Sequence, residues 1–211
     1  MFLNVLSSHQ LNILRKLINL NVFEKSYLAG GTALAIQLGH RFSEDFDFFS
    51  PFEFDSQDII SKLEETFQVE VLYSSSNTLH LLIDGVKVTQ LYYPNPLLSD
   101  LVNVDEIKGL MLASNIDIGL MKLIAISSRG SKKDFIDLYC LCKTGIKLKE
   151  LINLLPYKFP GKSINIYHII VSLCYFEEAE KEAMPKMYIK VEWDEVKKFF
   201  INESKIFKEM L

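Results

Sequence analysis

The sequence predicts an α/β protein, a mixed-sheet core over residues 1–110 followed by a helical bundle over 111–211. Three observations carry this reading. Strand-like and helix-like segments alternate as far as Tyr92, Asp84-Gly85 forms a two-residue hairpin signal between two β-patterned runs, and from Asp117 onward apolar residues recur only at helical spacing. A chain of 211 residues with 49% hydrophobic and 24% charged residues, nine glycines and six prolines, can bury a sizeable core and is neither disordered nor fibrous.

The elements follow in order. Leu11, Ile13, Leu14, Leu17, Ile18 and Leu20 recur at helical spacing behind a Ser7/Ser8 cap, which predicts an amphipathic helix over 9–20. Tyr27-Leu28-Ala29 reads as a short strand ended by Gly30-Gly31, and Thr32 to Leu38 as a helix closed by Gly39. Phe42 to Phe49 returns to extended character, Ser56 to Phe67 reads as a second surface helix, and strands are expected at 69–73, 78–83 and 86–92. Helices are then expected at 117–129, 132–142, 148–154, 164–182 and 193–210, separated by glycine and proline.

No apolar run approaches the 18 or so residues of a membrane span, and no basic stretch precedes an apolar one at the N-terminus, so a cytoplasmic protein without membrane association is expected. Cys140, Cys142 and Cys174 lack metal-ligand spacing and read as reduced core residues. The net charge of −4 argues against a protein that coats nucleic acid wholesale. It conceals an asymmetry: residues 1–110 hold 7 basic and 14 acidic side chains, whereas 111–162 hold 9 basic and 4 acidic ones. That basic stretch is either a solvated face or an anion-binding surface.

The informative segment is Leu28 to Phe49. On an extended strand Ser43, Asp45 and Asp47 share one face while Phe42, Phe46 and Phe48 face the core. Two carboxylates about 7 Å apart repel unless a cation bridges them, and oxygen ligands of this kind suit Mg²⁺ carrying substrate phosphates, with Mn²⁺ as a substitute. Gly30-Gly31-Thr32, opening a helix, offers backbone N–H groups and a positive dipole end to an anion. Each piece alone has a plainer reading, a solvated strand end or a simple turn. Their order is far more specific.

Farther on, Lys122 and Arg129 stand seven apart on one helical stripe, either to clamp a triphosphate or to face solvent. Ser131-x-x-Asp134 is close to a capping box, which alone would account for Asp134. Asp137, flanked by Phe135, Ile136, Leu138 and Tyr139, wants a cationic partner from Lys122, Arg129 or Lys133. His40, beside Arg41 at the end of the Thr32 to Leu38 helix, either meets phosphate or is structural, and His80 and His168 lack ligand-spaced partners, which argues against a zinc site.

The succession of strand, Gly-Gly-Thr, helix and Ser-x-Asp-x-Asp resembles the signature of the DNA polymerase β-like nucleotidyltransferases, and GGTALAIQLGHRFSEDFDFF is similar in detail to the AbiE-type (AbiEii/AbiGii) toxin nucleotidyltransferases. Lys122 to Arg129 and Asp134-x-x-Asp137-Leu-Tyr139 match that family's later motifs, so the resemblance covers roughly 27–49 and 118–140. It implies transfer of a nucleoside monophosphate from a nucleoside triphosphate to an acceptor, RNA or tRNA by expectation. The protein would be the toxin of a type IV toxin–antitoxin or phage-defence system, with a cognate antitoxin protein as partner. Asp45 and Asp47 would hold the metal, and Gly30, Gly31, Thr32 and Ser43 would contact phosphate. Lys122 and Arg129 would balance its charge, while Asp134 or Asp137 would orient a cation or act as base.

One departure stands out: the later-strand carboxylate of the superfamily falls at Thr89 or Gln90, neither of which is acidic. The alternative is therefore a nucleotide-binding module on a degenerate scaffold. A metal-dependent glycosyltransferase, which also uses Asp-x-Asp, is a third reading, disfavoured by the diglycine turn ahead of the carboxylates.

Overall fold

The computed structural model describes residues 1–206. Ser7 starts the first helix, α1 (Ser8–Asn19), with a reciprocal capping box: its hydroxyl accepts from the Gln10 amide while the Gln10 side chain accepts from the Ser7 N–H. The chain then enters β1 (Tyr27–Ala29), whose three residues are all buried, and turns at once into α2 (Gly30–Leu38), closed by Gly39 in the left-handed region. After an irregular crossing come β2 (Phe46–Ser50) and α3 (Ser56–Glu64), the latter capped by Asp55. β3 (Val69–Ser75), β4 (Thr78–Ile83) and β5 (Val86–Tyr92) form a meander. The turn between β4 and β5 places Asp84 and Gly85 at φ +47° and +82°, the mirror-image turn that Asp-Gly favours.

Two further strands were not legible in the sequence, β6 (Val102–Asn103) and β7 (Met111–Leu112), because two residues give no periodicity. β7 pairs parallel with β1 and so closes the sheet just beyond residue 110. Among the described residues the sheet is mixed and seven-stranded, in the order β3-β4-β5-β2-β1-β7-β6. Its central pairings set up the site: β2 runs antiparallel to β1 with Ala29 opposite Asp47, and parallel to β5 with Asp47 opposite Thr89.

The helical half begins with α4 (Asn115–Arg129) and α5 (Lys132–Lys143), separated by Gly130 in the left-handed region. α6 (Leu148–Lys158) runs on through Pro156, with only Tyr157 and Lys158 following it in the helix; the expected stop at residue 154 is corrected accordingly. The single helix expected over 164–182 is two, α7 (Ile166–Ser172) and α8 (Glu177–Lys181). The break lets Phe176 turn inward, where its ring lies 5.1 Å from that of Phe135 and 5.8 Å from that of Trp193. α9 (Trp193–Ile206) completes the order, and the remaining residues of the expected last helix lie outside the described ones.

Between α8 and α9 the chain returns to the core. The Phe42 N–H donates to the Lys186 carbonyl, that of Tyr188 donates to the His40 carbonyl, and the Phe42 and Tyr188 rings stack 4.1 Å apart. Phe42 is thus half-buried beneath this strap instead of entering the core with Phe46 and Phe48, since residues 42–45 precede the strand and its alternation does not govern them. Of the cysteines, burial pushes the Cys140 and Cys142 thiols up to about 12, whereas Cys174 is exposed and not a core residue. No described helix is long and apolar enough to cross a membrane.

Candidate active site

The diglycine turn and the Asp-x-Asp segment meet side by side. Gly30 has φ +66°, and a Cβ there would lie 2.9 Å from Asp47 Oδ2, so the carboxylate rests directly on the bare glycine backbone at the start of α2. No side chain caps α2, which leaves its first-turn N–H groups directed at the same place. Asp47 is half-buried on β2, and Asp45 is exposed in the segment just before it. Burial, and then the charge of Asp45, raise the Asp47 pKa above the usual carboxylate value; the Thr89 hydroxyl, Lys122 and Arg129 offset part of the rise.

Thr32 and Ser43 hydroxyls lie 2.6 Å apart, and Thr32 also donates to the Asp45 carbonyl. Both side chains are buried, so their hydroxyls fix the loop that carries Asp45 at the edge of a polar trough. The Gln10 side chain braces that loop from α1, donating to the carbonyls of Ser43 and Glu44.

Beneath the carboxylates lies an ion cluster contributed by α4, α5 and the end of α2. Lys122 Nζ sits 2.8 Å from Asp134 Oδ1 and 2.6 Å from Asp137 Oδ2. Arg129 reaches the same Asp134 with Nε at 2.7 Å and Nη2 at 3.0 Å. Arg41 forks onto Asp137 with Nε and Nη2 at 2.7 and 2.8 Å, and the His40 Nε2–H donates to Asp137 Oδ1 at 2.7 Å. Burial alone would neutralise Asp137, yet Lys122 and Arg41 hold its carboxyl well below the ordinary range. Lys122 is likewise buried, but Asp137 and Asp134 keep its ammonium charged. Lys122, Arg129 and Arg41 set three cationic side chains against the two carboxylates of Asp134 and Asp137, facing the Asp45–Asp47 pair.

Lys122 and Arg129, expected on one stripe, therefore do converge, on Asp134. Arg129 keeps 66% of its side chain exposed and so remains open to an incoming anion. The capping role considered for Asp134 is corrected: Ser131 makes no side-chain cap and its hydroxyl donates instead to Glu182. Arg41 is the main partner that the sequence did not reveal. Its single signal was the depth at which Asp137 is embedded, which demands more compensation than one lysine supplies. Gly31 records the tightness of this packing, because a Cβ there would fall 2.2 Å from Arg41 Nη2. Gly31→Ala is expected to displace the Arg41 fork and cost about 1–3 kcal/mol; thermal unfolding checks this, and an unchanged midpoint would contradict it.

A cavity of about 560 Å³ opens from Gly30, Asp47 and Lys122 between the sheet and α4, and is walled at its far end by Phe49, Tyr93, Met121 and Phe159. The polar trough, about 370 Å³, joins it at Gly31, Asp47, Lys122 and Arg129. The register also decides the missing-carboxylate position. Thr89 faces the site beside Asp47, while Gln90 points to the opposite side and donates to Ser26 Oγ at 2.8 Å. A second buried pair missed in the sequence, Lys158 with Asp117 at 2.7 Å, ties α6 to α4 and to the segment after β5, where Asp117 also accepts from the Leu98 and Ser99 amides.

Two crowded carboxylates with no third Asp, Glu, His or Cys grouped with them among the described residues make a hard-oxygen donor set. It fits Mg²⁺ better than a nitrogen- or sulfur-seeking ion, and leaves positions for phosphate and water.

A mixed sheet with an uncapped diglycine helix start set against an Asp-x-Asp strand defines a protein of the nucleotidyltransferase fold. MenT4, a nucleotidyltransferase toxin from Mycobacterium tuberculosis, shares that fold at a TM-score of 0.59 and 14% identity, over 92% of this chain and 82% of its own. So does ANT(2")-Ia, solved in complex with adenylyl-2"-tobramycin, at a TM-score of 0.51 and 12% identity, over 70% of this chain and 95% of its own. The family described as nucleotidyl transferase AbiEii toxin, type IV toxin–antitoxin system, matches residues 12–77. An uncharacterized protein of Aquifex aeolicus is 42% identical over 207 residues, 97% of this chain and 98% of that one. The chain belongs to one family with that Aquifex protein, and its residues 12–77 match the AbiEii nucleotidyltransferase toxin family.

Proposed function

We propose that this nucleotidyltransferase is Mg²⁺-dependent and moves a nucleoside monophosphate from a nucleoside triphosphate to a hydroxyl of RNA, tRNA by expectation. It acts in the cytoplasm as the toxin of a type IV toxin–antitoxin or phage-defence pair, restrained by a cognate antitoxin protein. The observation that carries the reading is Asp47 seated against the Gly30 backbone, its pKa raised by burial and by the charge of Asp45, which lines the same trough, with Lys122 and Arg129 alongside. Such crowding costs stability and is relieved by a divalent cation with its bound phosphates.

Asp45 and Asp47 would hold the Mg²⁺, or Mn²⁺, which when bound neutralises triphosphate charge and polarises the reacting phosphate. The Gly30 and Gly31 amides at the start of α2 bind phosphate oxygens, and Thr32 and Ser43 keep the Asp45 loop in register beside them. Arg129, pinned by Asp134 yet largely exposed, meets the charge that accumulates on departing pyrophosphate. Lys122 donates to Asp134 and Asp137 and faces the cavity, so those two aspartates orient cations. The basic 111–162 stretch suits a polyanionic acceptor.

Incubation with Mg²⁺, each triphosphate labelled at the α- or γ-phosphate, and total RNA tests the reading. The α-label is expected on RNA and the γ-label in pyrophosphate. In a parallel incubation with nucleoside diphosphate sugars, release of nucleoside diphosphate would favour a glycosyltransferase, and binding of triphosphate without transfer would favour a degenerate module; either result would refute the proposal.

A further inference from the structure

The aspartates beneath the site are poorly placed to accept a proton. Both oxygens of Asp137 are taken by Lys122, Arg41 and His40, and those of Asp134 by Lys122 and Arg129. The strand position beside Asp47 carries Thr89 instead of a carboxylate. What stands there is a row of three side chains on one face of three adjacent strands, Asp47 on β2, Thr89 on β5 and His80 on β4, each in register with the next. His80 Nδ1 lies 3.1 Å from Thr89 Oγ1, and all three line the 560 Å³ cavity.

A threonine hydroxyl has one proton to donate, and the carboxylate in register with Thr89 on the neighbouring strand is Asp47. With that proton directed at Asp47, Thr89 Oγ1 accepts from His80, which must carry its proton on Nδ1. Nε2 is then left with a free lone pair. Neighbouring strands lie about 4.8 Å apart, so the imidazole stands within two strand spacings of the carboxylate that would hold the metal.

We infer that His80 is the general base of this chain, standing in for the absent carboxylate, with Thr89 as the positioning residue that fixes its tautomer. The inference rests on the transfer reaction proposed above. In the step assigned, the acceptor hydroxyl oxygen bonds to the α-phosphorus and its proton passes to His80 Nε2. The bond from the α-phosphorus to the bridging oxygen breaks, and pyrophosphate leaves with the electron pair. The titratable and charged groups facing His80 are Tyr73 and Glu70 on β3, Lys87 on β5 and Asp47 on β2, with Lys122 and Arg129 of α4 across the cavity.

The test compares wild type, His80→Gln, Thr89→Val and Thr89→Ser for nucleotidyl transfer across pH, alongside calorimetric affinity for Mg²⁺ with a non-hydrolysable triphosphate. In wild type, kcat should rise with pH along an acidic limb. His80→Gln should lose about 10²-fold or more in kcat and the acidic limb with it, with triphosphate affinity unchanged. Thr89→Val should lower kcat and distort the same limb, and Thr89→Ser should restore both. A His80→Gln protein with wild-type kcat, or an acidic limb that survives the substitution, would overturn the assignment while leaving the transfer reaction standing. Absence of transfer by wild type itself would overturn the underlying reading and this one with it.

Discussion

Asp137→Ala is expected to be among the most destabilising single substitutions in the chain, costing about 3–5 kcal/mol and lowering the melting temperature by on the order of ten degrees. The side chain is fully buried and compensates three cationic or proton-donating groups at once, Lys122, Arg41 and His40. Its removal strands Arg41 and Lys122, 4% and 5% exposed, without an anion, and Asp134 can neutralise only the lysine. The pH dependence gives the effect a signature. Because the folded pKa of Asp137 is depressed, its stabilising contribution is present above the unfolded value of about 3.9 and is lost as pH falls below that toward the folded value. Wild type should therefore lose stability steeply below about pH 4, and Asp137→Ala should show a shallower acid limb. A variant that melts with wild type at neutral pH would show the cluster to be energetically idle.

Asp47→Asn is expected to act in the opposite sense, abolishing transfer while the metal-free protein melts at the same temperature or higher. The Asp47 pKa is raised by burial and by Asp45, so the folded state binds its proton more tightly than the unfolded chain does. Its contribution to stability is favourable below the unfolded value and declines as pH rises through the folded one, leaving an ionised, crowded carboxylate at neutral pH as a cost. The amide removes that cost and also the ligand. If the divalent ion supplies several kcal/mol of transition-state stabilisation, activity should fall at least about 10³-fold. Site residues that cost stability yet are needed for turnover are the expected form of a stability–function trade-off.

Much of this was legible in the sequence because local signals and the final fold agree. Ser7, Gly39, Asp84-Gly85 and Gly130 sit where capping and turn chemistry place them, and β1, β4 and β5 match their expected bounds residue for residue. Gly30, Gly31, Asp45 and Asp47 came together as their order in the chain implied, even though the strand begins at Phe46 and not at Phe42. What escaped was non-local. Arg41 reads as one more charge after a helix until α5 is packed on α2, 96 residues away in sequence, and delivers Asp137 to it. The pairing of His80 with Thr89 depends on strand register, and Lys158 lies 41 residues from Asp117; no spacing rule spans either relation. The break before α8 was set by where Phe176 packs, a tertiary demand that overrides helical composition.

The most direct test of the claim that Asp45 and Asp47 exist to hold a metal-loaded triphosphate is calorimetric titration of Mg²⁺ with a non-hydrolysable triphosphate into wild type and the Asp45→Asn/Asp47→Asn double variant. Wild type should bind the two ligands with positive coupling, each tightening the other, and the double variant should bind neither measurably while retaining its cooperative unfolding. Equal, metal-independent binding of the triphosphate to both proteins would contradict it.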